Sequence, residues 1–381
     1  MDSEYIVIPG LILLIGIPVL GLAIHRILSI SGKCYRRRRK VAECMILSVL
    51  VVPVMAVAAS TIYNAAAVLW FRAKNPAPGE TYLANGHKLH LNCTGSGSPT
   101  IVLDAGLGDD SLIWGRLQPV LSMTTQVCSY DRAGFGLSDP IPAPRDADHI
   151  AEELHDLLIQ ANVKGPIVLM GHSIAGMYIR DYATRYPAEL AGLIFVDSAT
   201  PLQEQNPALK AMDSKKPLQW FWNLEGRLEF IAGVPRLKGQ CSHAIPGFDP
   251  RAAKFLAEDS CHEHLNAVTA EFENFNRSGQ ETVHTGPYGA LPILIFSHDP
   301  AKAIPKENPP PKLVDVERAW DQMQEDLKKL SKRSRRIIAK DGSHYLQIDR
   351  ADLIEKEVPL FIEQIRGMAP TPTNYGSTIS E

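Results

Sequence analysis

The sequence predicts an α/β domain, a mostly parallel β-sheet with helices on both faces, interrupted by one inserted segment and preceded by two membrane-spanning helices. Three observations carry the prediction. Short apolar runs at residues 100–103, 167–170, 193–196, 291–296 and 336–339 alternate with helical patterns, as the strand–helix–strand units of a parallel sheet do. One of those runs leads into Gly171-His172-Ser173-Ile174-Ala175-Gly176, where small residues permit a sharp turn between strand and helix. Residues 1–73 differ in kind and contain two long uncharged stretches.

Those stretches, residues 5–24 and 45–71, contain no Asp, Glu, Lys or Arg. Each reaches the ~20 apolar residues that a helix needs to cross about 30 Å of hydrocarbon. The reading is a hairpin with helices at about 5–30 and 45–71, in which Pro9, Pro18 and Pro53 are tolerated because neighbouring helices satisfy the freed backbone groups. Lys33 and the run Arg36-Arg37-Arg38-Arg39-Lys40 lie between the spans; Asp2 and Glu4 lie on one outer flank, Arg72 and Lys74 on the other. The positive-inside bias puts the basic loop in the cytoplasm. Both termini and the α/β domain are then expected on the extracytoplasmic side, periplasmic or extracellular, with the lipid bilayer as a partner. The acidic Asp2-Ser3-Glu4 start argues against a cleaved signal peptide.

Past the hairpin, residues 74–80 read as a Pro-rich linker and 81–368 as the domain. Asn85-Gly86 sits between alternating apolar positions, a strong hairpin signal. Residues 148–161, 314–330 and 352–366 carry helical patterns. Residues 200–290 break the alternation and hold Trp220, Phe221, Trp222, Phe230, Phe248, Phe255, Phe272 and Phe275. This insertion is expected to fold as a cap over Ser173. The Pro-, Thr- and Ser-rich residues 369–381 read as a disordered tail.

Composition is that of an ordinary globular protein, with 45% hydrophobic and 21% charged residues and a net charge of −3. That balance gives no electrostatic reason for a nucleic-acid partner, and a basic run between two spans is a topology signal. The sequence names no protein partner. Of six cysteines, Cys34 and Cys44 flank the basic loop, where the cytosol keeps thiols reduced. Cys93, Cys128, Cys241 and Cys261 fall in the exported part, an even number in an oxidising compartment. Cys93 with Cys128, on neighbouring strands, and Cys241 with Cys261, in the insertion, are the candidate pairs. A competing zinc reading of Cys241, His243, Cys261, His262 and His264 matches no ligand spacing, and no metal is predicted.

The chemistry centres on Ser173. A serine hydroxyl is a weak nucleophile until a base accepts its proton and a carboxylate orients that base. Behind an elbow of this kind the chain order is Ser, acid, His. His344 follows the run at 336–339 in a Gly-Ser turn. Asp299 follows the run at 291–296 in Ser297-His298-Asp299-Pro300 and is the expected acid, with Asp197, at the end of Phe195-Val196-Asp197, as the alternative. The oxyanion hole is expected from two backbone N–H groups, those of Ile174 and of Leu107 in Asp104-Ala105-Gly106-Leu107-Gly108.

These pieces, together with Ser129-Tyr130-Asp131-Arg132-Ala133-Gly134-Phe135-Gly136-Leu137-Ser138-Asp139, resemble the α/β-hydrolase family, and most closely its serine esterase, lipase and peptidase-like members. They fall in family order over residues 82–366. Two departures stand out: Asp104-Ala105-Gly106 where many members carry His-Gly, and a Ser-His-Asp acid segment shorter than the usual Gly-x-x-Asp. The resemblance implies the α/β-hydrolase fold and a cofactor-free serine hydrolase. It would attack an ester, thioester or amide carbonyl of a small-molecule substrate through an acyl-enzyme. A nucleophilic Asp at the elbow would have implied a dehalogenase or epoxide hydrolase. A non-catalytic binding or signalling module on the same scaffold and an acyltransferase using the same triad are the alternatives.

Overall fold

The computed structural model describes residues 37–142, 144–210, 228–242, 247–259, 261, 265–305, 307–367 and 375–381, with residues 21, 25 and 226 besides. The predicted first span therefore lies outside the described residues apart from 21 and 25, as do Trp220, Phe221 and Trp222 and residues 369–374. The described chain forms two compact units.

The first unit is built on one long helix, α1 (Arg37–Lys74). It contains the predicted second span and continues into the basic run. Its stretch Val52–Lys74 is 23 residues long and contains an 18-residue segment with a mean hydropathy of 1.7, so it is long and apolar enough to cross a membrane. Val52, Val54, Met55 and Val57 are exposed apolar side chains. Further along, Thr61, Asn64, Val68 and Phe71 are buried, and their three- and four-residue spacing marks one helical stripe. Asn64 is buried with both ends of its amide satisfied. Its Nδ2 donates to Phe230 O at 3.1 Å and its Oδ1 accepts from Arg236 Nε at 2.8 Å. Arg236 in turn pairs with Glu258, Nη1 donating to Oε2 at 3.1 Å. Cys241 and Cys261 are joined in a disulfide. Described residues of the insertion divide between the two units: those within 218–243 and 257–263 fall in the unit of α1, and the others in the unit of the sheet.

The second unit holds the sheet. β1 (Glu80–Ala84) and β2 (His87–Thr94) form the predicted hairpin, with Asn85 and Gly86 at φ 48° and 80°. Positive φ at both central residues is what a type I′ turn requires. β3 (Thr100–Asp104), β4 (Val127–Tyr130), α2 (Ala147–Gln160), β5 (Ile167–His172), α3 (Ala175–Arg185) and β6 (Leu190–Val196) follow. The part of the insertion in this unit includes α4 (Leu265–Glu273) and α5 (Phe275–Thr282). β7 (Ile293–Ser297), α6 (Pro311–Asp326), β8 (Ser334–Ile338), α7 (Ala351–Ile365) and β9 (Thr378–Ser380) complete it. The strand order is β1-β2-β4-β3-β5-β6-β7-β8-β9. β2 pairs antiparallel with β1 and β4, and all other pairs are parallel.

Central strands of a covered parallel sheet are apolar on both faces, and these are. Val168 and Met170 of β5 pack with Leu353, Val358 and Ile362 of α7 on one face. Leu169, one residue out of phase, packs with Leu154 and Leu157 of α2 and Ile179 and Tyr182 of α3 on the other. Cys93 and Cys128 face each other across β2 and β4 and are bonded, with an S–S distance of 2.04 Å.

One expectation is corrected at the C-terminus. Residues 375–381, read as part of a disordered tail, run along the sheet edge. Ile379 pairs with Ile337, and Ile379 packs against the core. The Pro- and Thr-rich composition of 369–374 obscured three strand-forming residues, Thr378-Ile379-Ser380, beyond it.

Candidate active site

The strand β5 ends at His172 and α3 begins at Ala175, so the turn between them has room for two residues only. Ser173 adopts φ 53° there, a left-handed conformation that costs a non-glycine residue about 1–3 kcal/mol and persists only where the surroundings impose it. Its own backbone is pinned, Ser173 N donating to Val196 O at 3.2 Å and Ser173 O accepting from Ala199 N at 2.8 Å. A Cβ on Gly176 would collide with Ser198 Cβ. That glycine lets the helix pass close enough to raise Ser173 above the sheet end.

His344 arrives from the loop after β8. Its Nε2 lies 3.1 Å from Ser173 Oγ, and its Nδ1 lies 2.6 Å from Asp197 Oδ2. Asp197 is the first residue past β6, fully buried, at φ 44°. Its carboxylate also accepts from the His298 backbone N–H at 3.0 Å, from His298 Nδ1 at 2.9 Å and from Trp320 Nε1 at 3.0 Å. Burial alone would push this carboxyl up, but the hydrogen bonds from His298 and His344 outweigh it and hold Asp197 well below the usual carboxylate range.

The expected acid, Asp299, is not at this position. Its carboxylate accepts from Ala301 N at 2.9 Å and from Asp341 N at 3.1 Å, as the N-cap of a short helix, Pro300–Ala303. The physical reason stands in the sequence: Pro300 at the first helical position turns the chain, and an Asp directly before it is a favoured cap. The alternative, Asp197, is the carboxylate brought to His344.

The two residues expected to supply the oxyanion donors share one packed cluster. Ile174 directly follows Ser173 as the N-cap residue of α3, where helix N–H groups are unpaired and favour negative charge. Leu107 packs against the cluster formed by Ile174, Ala175, Met177 and Tyr178. A Cβ on Gly106 would lie 2.7 Å from His172 Nδ1, so glycine is what lets this turn approach the elbow. His172 is buried, and its Nε2 donates to His344 O at 3.0 Å. Burial, reinforced by His344, pushes its pKa down to about 3, so it is neutral and serves as a prop under the His344 backbone.

Arg132 is a residue whose role sequence reasoning missed. Its buried guanidinium donates to Asp104 Oδ1 at 2.8 Å, to Ala105 O at 2.6 Å and to Gly106 O at 2.8 Å. It also grips Glu271 of α4 through two parallel bonds at 2.6 and 3.0 Å. Burial opposes its charge, but Glu271 and Asp104 outweigh that and keep it protonated. One side chain therefore fixes the Leu107 turn and clamps the inserted helix beside it. The signal was available in Asp131-Arg132-Ala133-Gly134, but its partner Glu271 lies 139 residues away. Among the described residues no group of three or more His, Cys, Asp or Glu is arranged to hold a metal ion.

The chain is 25% identical over 322 residues to a "Probable transporter efuK" of Hormonema carpetanum, covering 76% of this chain and 43% of that protein. It is 22% identical over 294 residues to an "AB hydrolase superfamily protein" of Gibberella zeae, covering 70% of this chain and 87% of that one. The chain spans less than half the length of the first curated relatives it matches. Its fold is similar to that of a thermophilic esterase from Thermogutta terrifontis, with a TM-score of 0.51 at 18% identity over 76% of this chain and 99% of that one. The sequence profile of the Alpha/beta hydrolase family matches residues 101–357, a span holding Leu107, Ser173, Asp197 and His344, and the chain belongs to that family.

Proposed function

We propose that this chain is a membrane-anchored serine hydrolase that cleaves an ester, thioester or amide carbonyl of lipophilic small molecules through an acyl-enzyme. The observation that carries the reading is His344, whose two nitrogens lie 3.1 Å from Ser173 Oγ and 2.6 Å from Asp197. Nε2 takes the Ser173 proton as Oγ attacks the carbonyl carbon, and Asp197 holds the imidazole in the tautomer that leaves Nε2 free. The tetrahedral intermediate puts its negative oxygen at the N–H groups of Ile174 and Leu107, an arrangement in which one donor is worth about 10²–10³ in rate. His344 then returns the proton to the leaving group. In the second half the same imidazole activates water, which releases the acyl group and restores Ser173.

Anchoring is supported by the apolar stretch Val52–Lys74 of α1. An extracytoplasmic position for the domain is supported by the two disulfides, Cys93–Cys128 and Cys241–Cys261, which persist in oxidising compartments. A lipophilic substrate class fits an enzyme held at a bilayer.

The test is hydrolysis of a short-chain aryl ester together with labelling by a fluorophosphonate probe. Ser173→Ala is expected to lose kcat by about a thousandfold or more and all labelling, with an unchanged melting temperature. Turnover at the wild-type rate in that variant rejects the hydrolase reading.

A further inference from the structure

His298 precedes the acid that the sequence put forward, and its imidazole enters the site that Asp299 leaves. Nδ1 is 2.9 Å from each Asp197 oxygen. Nε2 is 2.7 Å from Glu317 Oε2 on α6. Both ring nitrogens thus point at carboxylates. A neutral imidazole has one N–H and one lone pair, so it could satisfy one of these contacts and would turn its lone pair toward the other carboxylate. Only the imidazolium donates to both. The ring is almost fully buried, as is Glu317, and an ion set of this kind survives burial only when each member is paired.

Asp197 faces His298 from the loop after β6, Glu317 from α6, and His344 reaches the same carboxylate from the loop after β8. Arg336 on β8 is committed elsewhere, to Asp321 and Glu325 of α6 and to Ser297 Oγ. At rest the set of Glu317, His298, Asp197 and a neutral His344 carries one net negative charge. When His344 takes the Ser173 proton, the set becomes neutral. A buried cluster with that imbalance favours the protonated base, the state that forms as the reaction proceeds.

We infer that His298 is a positioning residue: an imidazolium held between Glu317 and Asp197, which fixes the Asp197 carboxylate against His344 and keeps it ionised. This rests on the triad reading of Ser173, His344 and Asp197. It is consistent with the titration of the ring: burial lowers it, but Asp197 and Glu317 outweigh burial and push His298 up to about 10. Trp320 Nε1, at 3.0 Å from Asp197 Oδ1, occupies a further acceptor site of the same carboxylate.

The test is the pH profile of kcat/KM for aryl ester hydrolysis by the full chain. His298→Gln keeps a hydrogen-bonding side chain but removes the cation. It is expected to lower kcat/KM at neutral pH about tenfold and to move the acid limb up by about one pH unit, because protonation of the base is then opposed by one positive charge fewer. Glu317→Gln leaves the imidazolium and removes a negative charge, and is expected to move the limb the other way by a smaller amount. A purely structural role would lower rate or melting temperature without shifting the limb. An acid limb of His298→Gln superimposable on the wild type overturns the inference, whatever the loss of rate. If His298→Gln does not fold, Glu317→Gln decides alone, and an unshifted limb overturns it. Retained turnover in Ser173→Ala is a separate result that rejects the triad reading and this inference with it.

Discussion

Asp197 and His344 are separated by 147 positions in the chain, yet Oδ2 of one lies 2.6 Å from Nδ1 of the other. The sheet explains the meeting. β6, β7 and β8 are parallel neighbours, so the residues just past their ends gather at one edge of the sheet. Three residues compete there for the place beside His344: Asp197 after β6, and His298 and Asp299 after β7. The backbone decides. Asp197, at φ 44°, presents its carboxylate to His344 Nδ1, whereas Asp299 caps a short helix. Asp197→Asn is expected to lower kcat by about 10³–10⁴ through the wrong imidazole tautomer. Asp299→Asn should leave kcat close to wild type and cost at most about 1 kcal/mol of stability from the weakened cap. Steady-state kinetics and thermal melts of the two variants check this, and comparable kcat losses in both would contradict the assignment.

Two buried histidines contribute to the pH dependence of stability with opposite signs. His298 is raised from 6.5 to about 10, so its stabilising contribution is complete below pH 6.5 and is lost as pH rises through 10. His172 is lowered from 6.5 to about 3, so its contribution is present above pH 6.5 and is lost as pH falls towards 3. Thermal melts across this range are expected to show an alkaline decline that His298→Gln flattens and an acid decline that His172→Gln flattens. Flanks unaltered in both variants would refute the linkage.

Reduction of the disulfides is expected to weaken the fold. Cys93 and Cys128 are 35 positions apart, and cross-links of this loop size contribute about 2–4 kcal/mol. The paired variant Cys93→Ala with Cys128→Ala should melt at lower temperature than the parent, with the sheet retained. Thiol titration of the unreduced, unfolded protein should find Cys93, Cys128, Cys241 and Cys261 unreactive. Finding these four free would count against the extracytoplasmic reading as well.

Arg132→Met should be among the more damaging single changes. It leaves Asp104 and Glu271 buried without their cation, a situation that costs about 3–5 kcal/mol. Arg132→Lys is expected to rescue only part of this, since a single ammonium cannot match the fork that grips Glu271 while reaching Ala105 and Gly106. Denaturant melts measure the loss. A fully stable Arg132→Met would show that the clamp is dispensable.

Much of this molecule could be read from local sequence, because its signals are local. The Asn85-Gly86 turn, the elbow at Ser173, the apolar face of α2 and the Gly342-Ser343-His344 turn each lie within one short window. What escaped reading depended on distant partners. Whether Asp197 or Asp299 meets His344 depends on which backbone turns inward, although Asp-Pro at 299–300 was a cap signal available in advance. The pairing of Arg132 with Glu271 crosses into the insertion. The division of that insertion between two units follows from Asn64, Arg236 and Glu258 finding one another, three polar residues that no periodicity links.

The ninth strand gives residues 378–381 a protective task. Ile379 and its neighbours cover the hydrogen-bonding edge of β8, and Lys340 N donates to Glu381 O at 2.6 Å, four positions before the base. A recombinant version trimmed after residue 374 would leave the N–H and C=O row of β8 as a bare template for another chain. Clumping of such a trimmed protein would originate from that uncovered strand, and the loop bearing His344 would loosen with it.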